Sequence, residues 1–116
     1  MHRQEKVEAR IKKILSDVIK HQLKDPRVDG NVTVSRVEVT NDISLAKIYF
    51  SILADEAARR EIMQALDKAK GFLRTELAKD LKVRHTPALE FKLDTSVEQG
   101  MRIQHLLNEI KEEERS

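Results

Sequence analysis

Apolar residues alternate with polar ones over positions 32–53, whereas on both sides of this segment they recur at helical spacing. This change of period constrains the fold most, because side chains alternate across a strand but repeat every three to four residues along a helix. The segment predicts an antiparallel hairpin with one apolar face and a turn at NDIS (41–44). The apolar phase jumps inside the first strand, and a β-bulge near Ser35 and Arg36 would restore a single buried face. The opposite face would hold Lys47, Tyr49 and Ser51.

Helices are predicted on both sides of the hairpin. The first covers residues 3–24 and ends before Pro26, because the residue preceding a proline is pushed out of the α region. After the hairpin, Asp55 is suited to cap the N-terminus of a helix, and helical spacing continues to Leu81. Gly71 interrupts this second helical segment, and a glycine inside a helix costs about 0.5–1 kcal/mol relative to alanine. The segment is therefore predicted to form two helices that meet at an angle at Gly71.

Two further elements complete the pattern. The stretch LEFKL (89–93) alternates as a third strand, and Thr95 and Glu98 have the spacing of a capping box before a last amphipathic helix. The predicted order is αββααβα, an α+β fold in which one three-stranded sheet has helices packed on one face. We expect a single domain over residues 1–111 and a frayed charged tail over residues 112–116.

Composition argues against several classes of function. The sequence has no cysteine, so it offers neither a disulfide nor a cysteine-based zinc site. Its four histidines lack HxxxH and HExxH spacing, and its three glycines form no GxSxG, P-loop or GxGxxG motif. We therefore expect no catalytic residue, no metal site and no cofactor. The N-terminus lacks the apolar segment of a secretory signal and no apolar run could span a bilayer, so a cytoplasmic protein without a membrane partner is expected.

Positive charge is concentrated in two segments. Residues 1–27 carry eight Lys and Arg against four Asp and Glu, and residues 67–86 carry six against three, although the whole chain has a net charge of only +2. A run of charges alone is usually a solvated face. The second run, however, surrounds the helix junction at Gly71, where a helix N-terminus would offer backbone N–H groups to an anion. We therefore predict a binding site for the phosphates of RNA, formed by Lys68, Lys70, Arg74, Lys79, Lys82, Arg84 and His85.

Five segments in one order also resemble a known family: LKDPRV (23–28), the hairpin (32–53), AKGFLRTEL (69–77), LKVRHTPALEF (81–91) and DTSVEQGMRIQHLL (94–107). Together they cover nearly the whole chain and resemble the ribosome-binding factor A (RbfA) family of bacteria. The resemblance implies a type II KH-like fold, in which an Ala-x-Gly kink replaces the usual GxxG loop between the paired helices. That motif falls on Ala69, Lys70 and Gly71, so Ala69 and Gly71 join the predicted RNA-binding residues. Lys70 departs from the small or polar residue often found at the middle position and adds charge there.

The function that the resemblance implies is that of a non-catalytic ribosome assembly factor. Such a protein would bind the free 30S small ribosomal subunit and its 16S rRNA, assist late maturation and 5′-end processing of that RNA, and support growth in the cold. With one Tyr, three Phe and no Trp, recognition should depend on RNA backbone and shape rather than on base stacking. The alternative is a protein-interaction module that docks on ribosomal proteins without RNA contact. A nuclease would need clustered carboxylates for Mg²⁺, which the sequence does not show. A monomer is expected.

Overall fold

The computed structural model describes the backbone of residues 3–115 and the side chains of residues 3–96, 101–102 and 104–113. Its elements in chain order are α1 (Arg3–His21), β1 (Val32–Val39), β2 (Leu45–Ile52), α2 (Glu56–Lys68), α3 (Lys70–Asp80), β3 (Ala88–Leu93) and α4 (Ser96–Arg115). The predicted αββααβα order is confirmed. The first helix ends earlier than predicted, because the C=O of Val18 accepts hydrogen bonds from the N–H groups of both Gln22 and Leu23 as the chain leaves the helix.

The predicted antiparallel hairpin and its β-bulge are confirmed. Val32 lies opposite Ile52, and the antiparallel register shifts after Val34, so Ser35 is the extra residue of a β-bulge. The bulge keeps the apolar residues of both strands on one face, as predicted. The buried residues of this face are Val34, Val37, Val39, Ala46, Ile48, Phe50 and Ile52.

The third strand runs parallel to its neighbour, whereas the two strands of the hairpin are antiparallel. β2 is central, and β3 pairs with it in parallel, with Leu45 opposite Ala88 and Phe50 opposite Leu93. Parallel neighbours require a crossover connection, and α2 and α3 together form it. The rings of Phe50 and Phe91 meet edge to face at 5.0 Å. α1 packs against β1 and α3, so the core lies between one face of the sheet and the first three helices.

Helical spacing alone does not identify which apolar side chains are buried in α3 and α4. Phe72 fits the spacing of the second helical segment, yet its side chain is 41% exposed, because α3 turns Leu73 and Leu77 toward the core. The last helix forms, but its described apolar side chains are exposed rather than packed. They are Met101, Leu106, Leu107 and Ile110. The side chain of Glu98, half of the predicted capping box, lies outside the described residues.

The bulge is connected to the start of α4 through Asp94. The hydroxyl of Ser35 donates to Asp94 Oδ2 at 2.6 Å, and the backbone N–H of Ser96 donates to Asp94 Oδ1 at 2.9 Å. The hydrogen bond from Ser35 and those from Ser96 lower the pKa of Asp94 to about 2, with a smaller contribution from the charge of Arg36. The carboxylate of Asp94 therefore links the bulge of β1 to the start of α4.

Candidate nucleic-acid interface

The helix junction lies at Ala69, not at Gly71. Ala69 (φ −85°, ψ 0°) closes α2, and its N–H bonds the C=O groups of Ala65 and Leu66 at 3.1 Å. Its own C=O accepts from the N–H of Leu73 and so begins α3. Gly71 is helical and lies in the first turn of α3. The predicted break at Gly71 is therefore wrong by two residues, because the turn needs a change of ψ that alanine can adopt as well as glycine.

Gly71 is not required by packing within the described structure. A Cβ atom placed there would meet no other atom within 4 Å, and its φ is not positive. The hydroxyl of Thr75 donates to the C=O of Gly71 at 2.9 Å, and any residue at position 71 could accept this bond. An exposed glycine with open space above it leaves the backbone of the first turn of α3 accessible from outside.

Two lysines, Lys68 and Lys70, lie on either side of the junction beside one carboxylate, Asp67. Ala69 provides no side-chain cap for α3, and the first turn of α3 contains no acidic residue, so the N-terminal partial charge of α3 meets no acidic side chain within its own helix. Lys70 Nζ lies 3.5 Å from Asp67 Oδ1 and 5.1 Å from the centroid of the Phe91 ring. Ion pairs this exposed contribute little, so the ammonium group remains available to another anion.

The charge of Lys68 acts on the loop between α1 and β1. In that loop Asp25 accepts hydrogen bonds from the Arg27 side chain, at 2.9 Å from Nη2 and 3.1 Å from Nε. These bonds lower the pKa of Asp25, with a smaller contribution from the charge of Lys68. The segment LKDPRV thus lies near the end of α2. The fold brings part of the first basic segment next to the second.

Arg74 has a structural role that the sequence did not predict. Its Nε donates to the C=O of Pro87 at 3.1 Å, and its Nη2 donates to the C=O of Thr86 at 2.8 Å. Both acceptors lie in the connector, defined here as residues 82–87 between α3 and β3. Arg74 therefore fixes the connector against α3, and its remaining N–H groups are the ones that could reach a ligand.

A groove of about 550 Å³, the connector groove, lies where the connector passes the β1–β2 turn. Three of the predicted residues line it, and so does Arg3, which the prediction omitted. The only signal for Arg3 in the sequence was its place in the first basic segment. The basic side chains that line the groove are Arg3, Arg74, Arg84 and His85.

The turn beside this groove is held by its own side chains. Asp42 Oδ1 accepts from the hydroxyl groups of Ser44 at 2.7 Å and Thr40 at 2.8 Å. These bonds, that from Ser44 first, lower the pKa of Asp42. Ile43 adopts φ 58° although it is β-branched, and its buried side chain fixes this conformation. The turn thus forms one wall of the connector groove. Its carboxylate, that of Asp42, already accepts hydrogen bonds from within the turn.

The predicted residues fall into two groups at the two ends of α3. The junction group is Lys68, Ala69, Lys70 and Gly71, and the connector group is Arg74, Lys82, Arg84 and His85. Lys79 belongs to neither: it lies in the last turn of α3 but does not line the connector groove, and its Nζ lies 2.8 Å from Glu76 Oε1. No cluster of three or more His, Asp or Glu suited to a metal ion exists among the described residues. In the same part of the chain, no helix is long and apolar enough to cross a membrane.

Comparison with known proteins assigns the family. A family profile described as Ribosome-binding factor A matches residues 3–107. A ribosome-binding factor A from Syntrophomonas wolfei is 51% identical over 112 residues, which is 96% of this chain and 92% of that protein. The residues that match therefore include both ends of α3 and the whole sheet.

Solved structures agree with this assignment. The crystal structure of ribosome-binding factor A from Thermus thermophilus is 30% identical, with a TM-score of 0.68 over 78% of this chain and 93% of that one. Coordinates of the Thermus thermophilus factor fitted into a cryo-electron-microscopy map of a 30S–RbfA complex are 29% identical, with a TM-score of 0.64 over the same shares. The fold is α+β and KH-like, as predicted. The chain belongs to the ribosome-binding factor A family.

Proposed function

We propose that this protein is a non-catalytic ribosome assembly factor that binds the free 30S subunit by contacting phosphates of 16S rRNA with its junction and connector groups. The observation that carries the proposal is the connector groove, where Arg74 bonds the connector and the basic side chains of Arg3, Arg84 and His85 line one surface. Basic side chains gathered along one groove recognise a phosphodiester backbone without reading its sequence. The 30S complex of the Thermus thermophilus relative supports the choice of partner.

The proposed role in the cell is to assist late maturation and 5′-end processing of 16S rRNA, including during growth in the cold. A protein that binds phosphates and shape stabilises one RNA conformation, which other enzymes then process. Such a role requires no catalytic group in this chain. We infer that the protein acts as a monomer in the cytoplasm, where its ribosomal partner matures.

The experiment compares two charge-reversal pairs. Lys82→Glu with Arg84→Glu changes the connector, whereas Lys12→Glu with Lys13→Glu makes the same change of charge at exposed positions of α1. Binding to purified 30S subunits and to naked 16S rRNA is measured from low to high salt. The connector pair should lower affinity at least about tenfold and reduce the slope of log K against log salt by roughly 1.5, as expected for two lost phosphate contacts. Equal effects of the two pairs would refute a localised site.

One observation favours the alternative of docking on a ribosomal protein. The sheet face that carries no helix among α1–α3 presents charges of both signs that pair with each other. Arg36 lies 4.1 Å above the Tyr49 ring and 3.3 Å from Glu38, and Lys92 lies 3.5 Å from Glu90. With Lys47, which lies opposite Glu38 and Glu90, the strands place three cations and two anions on this face, so its excess of positive charge is small for binding a polyanion. Pull-downs with RNA-free ribosomal proteins, beside naked RNA, separate the two functions: binding only to the proteins would favour the alternative.

A further inference from the structure

A second groove lies at the opposite end of β1 from the connector groove, between the C-terminal half of α1 and the start of β1. The strand order makes β1 an edge strand. The groove, called here the α1–β1 groove, has a volume of about 560 Å³ and lies away from the connector. Apolar side chains form about half of its wall, and the polar residues that complete it include one cation and one anion. Its principal residues are Ile19, Lys20, Leu23, Val28, Asp29 and Val34.

The backbone of β1 faces into this groove. Antiparallel strands alternate residues whose N–H and C=O point to the partner strand with residues whose groups point away. The C=O of Asn31 accepts from the N–H of Leu53, which places Asn31 and Thr33 among the residues that bond β2. The N–H and C=O groups of Val32 and Val34 therefore point away from β2, into the groove that these residues line.

At its other end the same edge is already covered. The N–H of Val39 donates to Glu8 Oε2 at 2.8 Å, and the C=O of Val39 accepts from Gln4 Nε2 at 3.2 Å. Side chains of α1 thus satisfy the outward backbone groups near the end of β1. Within the described part of the chain, no comparable bond reaches the outward groups of Val32 or Val34. The fold protects one half of this edge and leaves the other half open.

We propose that the α1–β1 groove binds an extended peptide segment of a partner protein, which pairs with Val32 and Val34 as an additional strand. The local charges select this occupant. Alternating backbone donors and acceptors match another peptide backbone, and the pair of Lys20 and Asp29 gives the groove no net charge, whereas a phosphodiester chain would face a carboxylate. Every second side chain of the added strand would point toward Ile19 and Leu23, so the segment should be apolar at alternate positions.

The test uses a synthetic peptide that copies β2, residues 45–52, with a lysine added at each end for solubility. In the protein this sequence pairs with the side of β1 that faces away from the groove, and its apolar residues alternate. Binding to the full chain is followed by ¹⁵N–¹H NMR titration. We expect shifts confined to the groove, with interstrand nuclear Overhauser effects between the peptide and Val32 or Val34. Shifts centred on the exposed apolar residues of α4, or no binding at millimolar peptide, would overturn the proposal.

Two variants test whether the backbone is what the peptide recognises. Val32→Pro removes an N–H that points away from β2, which an edge strand tolerates, whereas Val32→Ala shortens the side chain but keeps the N–H. Affinity should fall about tenfold further in Val32→Pro than in Val32→Ala, as for one or two lost hydrogen bonds. Equal affinities would contradict strand addition.

A second measurement keeps the proposal testable if Val32→Pro does not fold. N-methylation of the peptide amides that face β1 should abolish binding, whereas methylation of the intervening amides should not. Insensitivity to both would overturn the proposal. Displacement of the peptide by a short RNA oligonucleotide, with shifts at the same groove residues, would assign the groove to RNA and overturn it as well. None of these outcomes depends on the connector groove, because that site lies at the other end of β1 and shares no lining residue with this one.

Discussion

Gly71→Ala should make the protein more stable and at the same time weaken its binding to the small subunit. The residue is exposed and helical, and a Cβ there would meet nothing within 4 Å. Alanine therefore adds no clash and removes the entropic cost of glycine in a helix. We expect the free energy of unfolding to rise by about 0.5–1 kcal/mol, and the midpoint of thermal unfolding to rise by about 2–5 °C.

Binding should change in the opposite direction. If an RNA phosphate approaches the first turn of α3, the added methyl group lies between that phosphate and the backbone N–H groups. Affinity for 30S subunits should then fall about tenfold, which corresponds to about 1.4 kcal/mol. Ala78→Gly is the matched control, because Ala78 is exposed on the same helix. It should lose about as much stability as Gly71→Ala gains, and its binding should not change.

The two measurements are urea unfolding of each variant and titration of 30S subunits at one fixed salt concentration. A lower stability for Gly71→Ala would show that the fold itself needs glycine, which contradicts the packing argument. Higher stability with unchanged binding would show that no ligand approaches the junction closely, and the proposed contact at Gly71 would be wrong.

Three further predictions concern Arg74, Asp94 and α4. Arg74→Lys keeps the charge but loses the forked hydrogen bonds to the connector, so amide exchange there should accelerate and RNA affinity should fall about fivefold. The pKa of Asp94 is lowered from 3.8 to about 2 in the folded state, so its stabilising contribution is complete above pH 3.8 and is lost as pH falls through 2. Ser35→Ala should therefore reduce stability at pH 7 and flatten its fall between pH 4 and 2, measured by urea unfolding; an unchanged profile would contradict this cause of the shift. Removal of residues 97–116 should change the free energy of unfolding by less than about 1 kcal/mol, because the described apolar side chains of α4 are exposed; a larger loss would show that α4 belongs to the folding unit.

Local spacing in the sequence predicted most elements correctly. The alternation in β1 and β2 depends only on which side of a strand each residue faces, so even the bulge at Ser35 could be predicted. Asp55 accepts from the N–H of Ala58 at 2.8 Å, as a residue suited to an N-cap should. The helical pattern alone placed the helix junction at Gly71, two residues late, because an alanine gives no sign of a turn. The Ala-x-Gly kink implied by the family resemblance does include Ala69.

The candidate site could be predicted only in part. The basic residues were identified from charge and position, but their contacts join segments far apart in the chain. Arg74 bonds the connector, Lys79 pairs with Glu76, and Arg3 reaches the connector groove from the start of α1. No spacing rule predicts such contacts, because they depend on how the helices pack.

The sequence by itself determined the order of the elements, the buried face of the hairpin and the two basic segments, since each depends on residues that are neighbours along the chain. Only the tertiary structure decided that β3 joins β2 in parallel. It also decided that Arg3 and Arg84 share a groove and that one half of the β1 edge stays open. These features arise when the crossover through α2 and α3 and the packing of α1 bring distant residues together, and local periodicity carries no information about those distances.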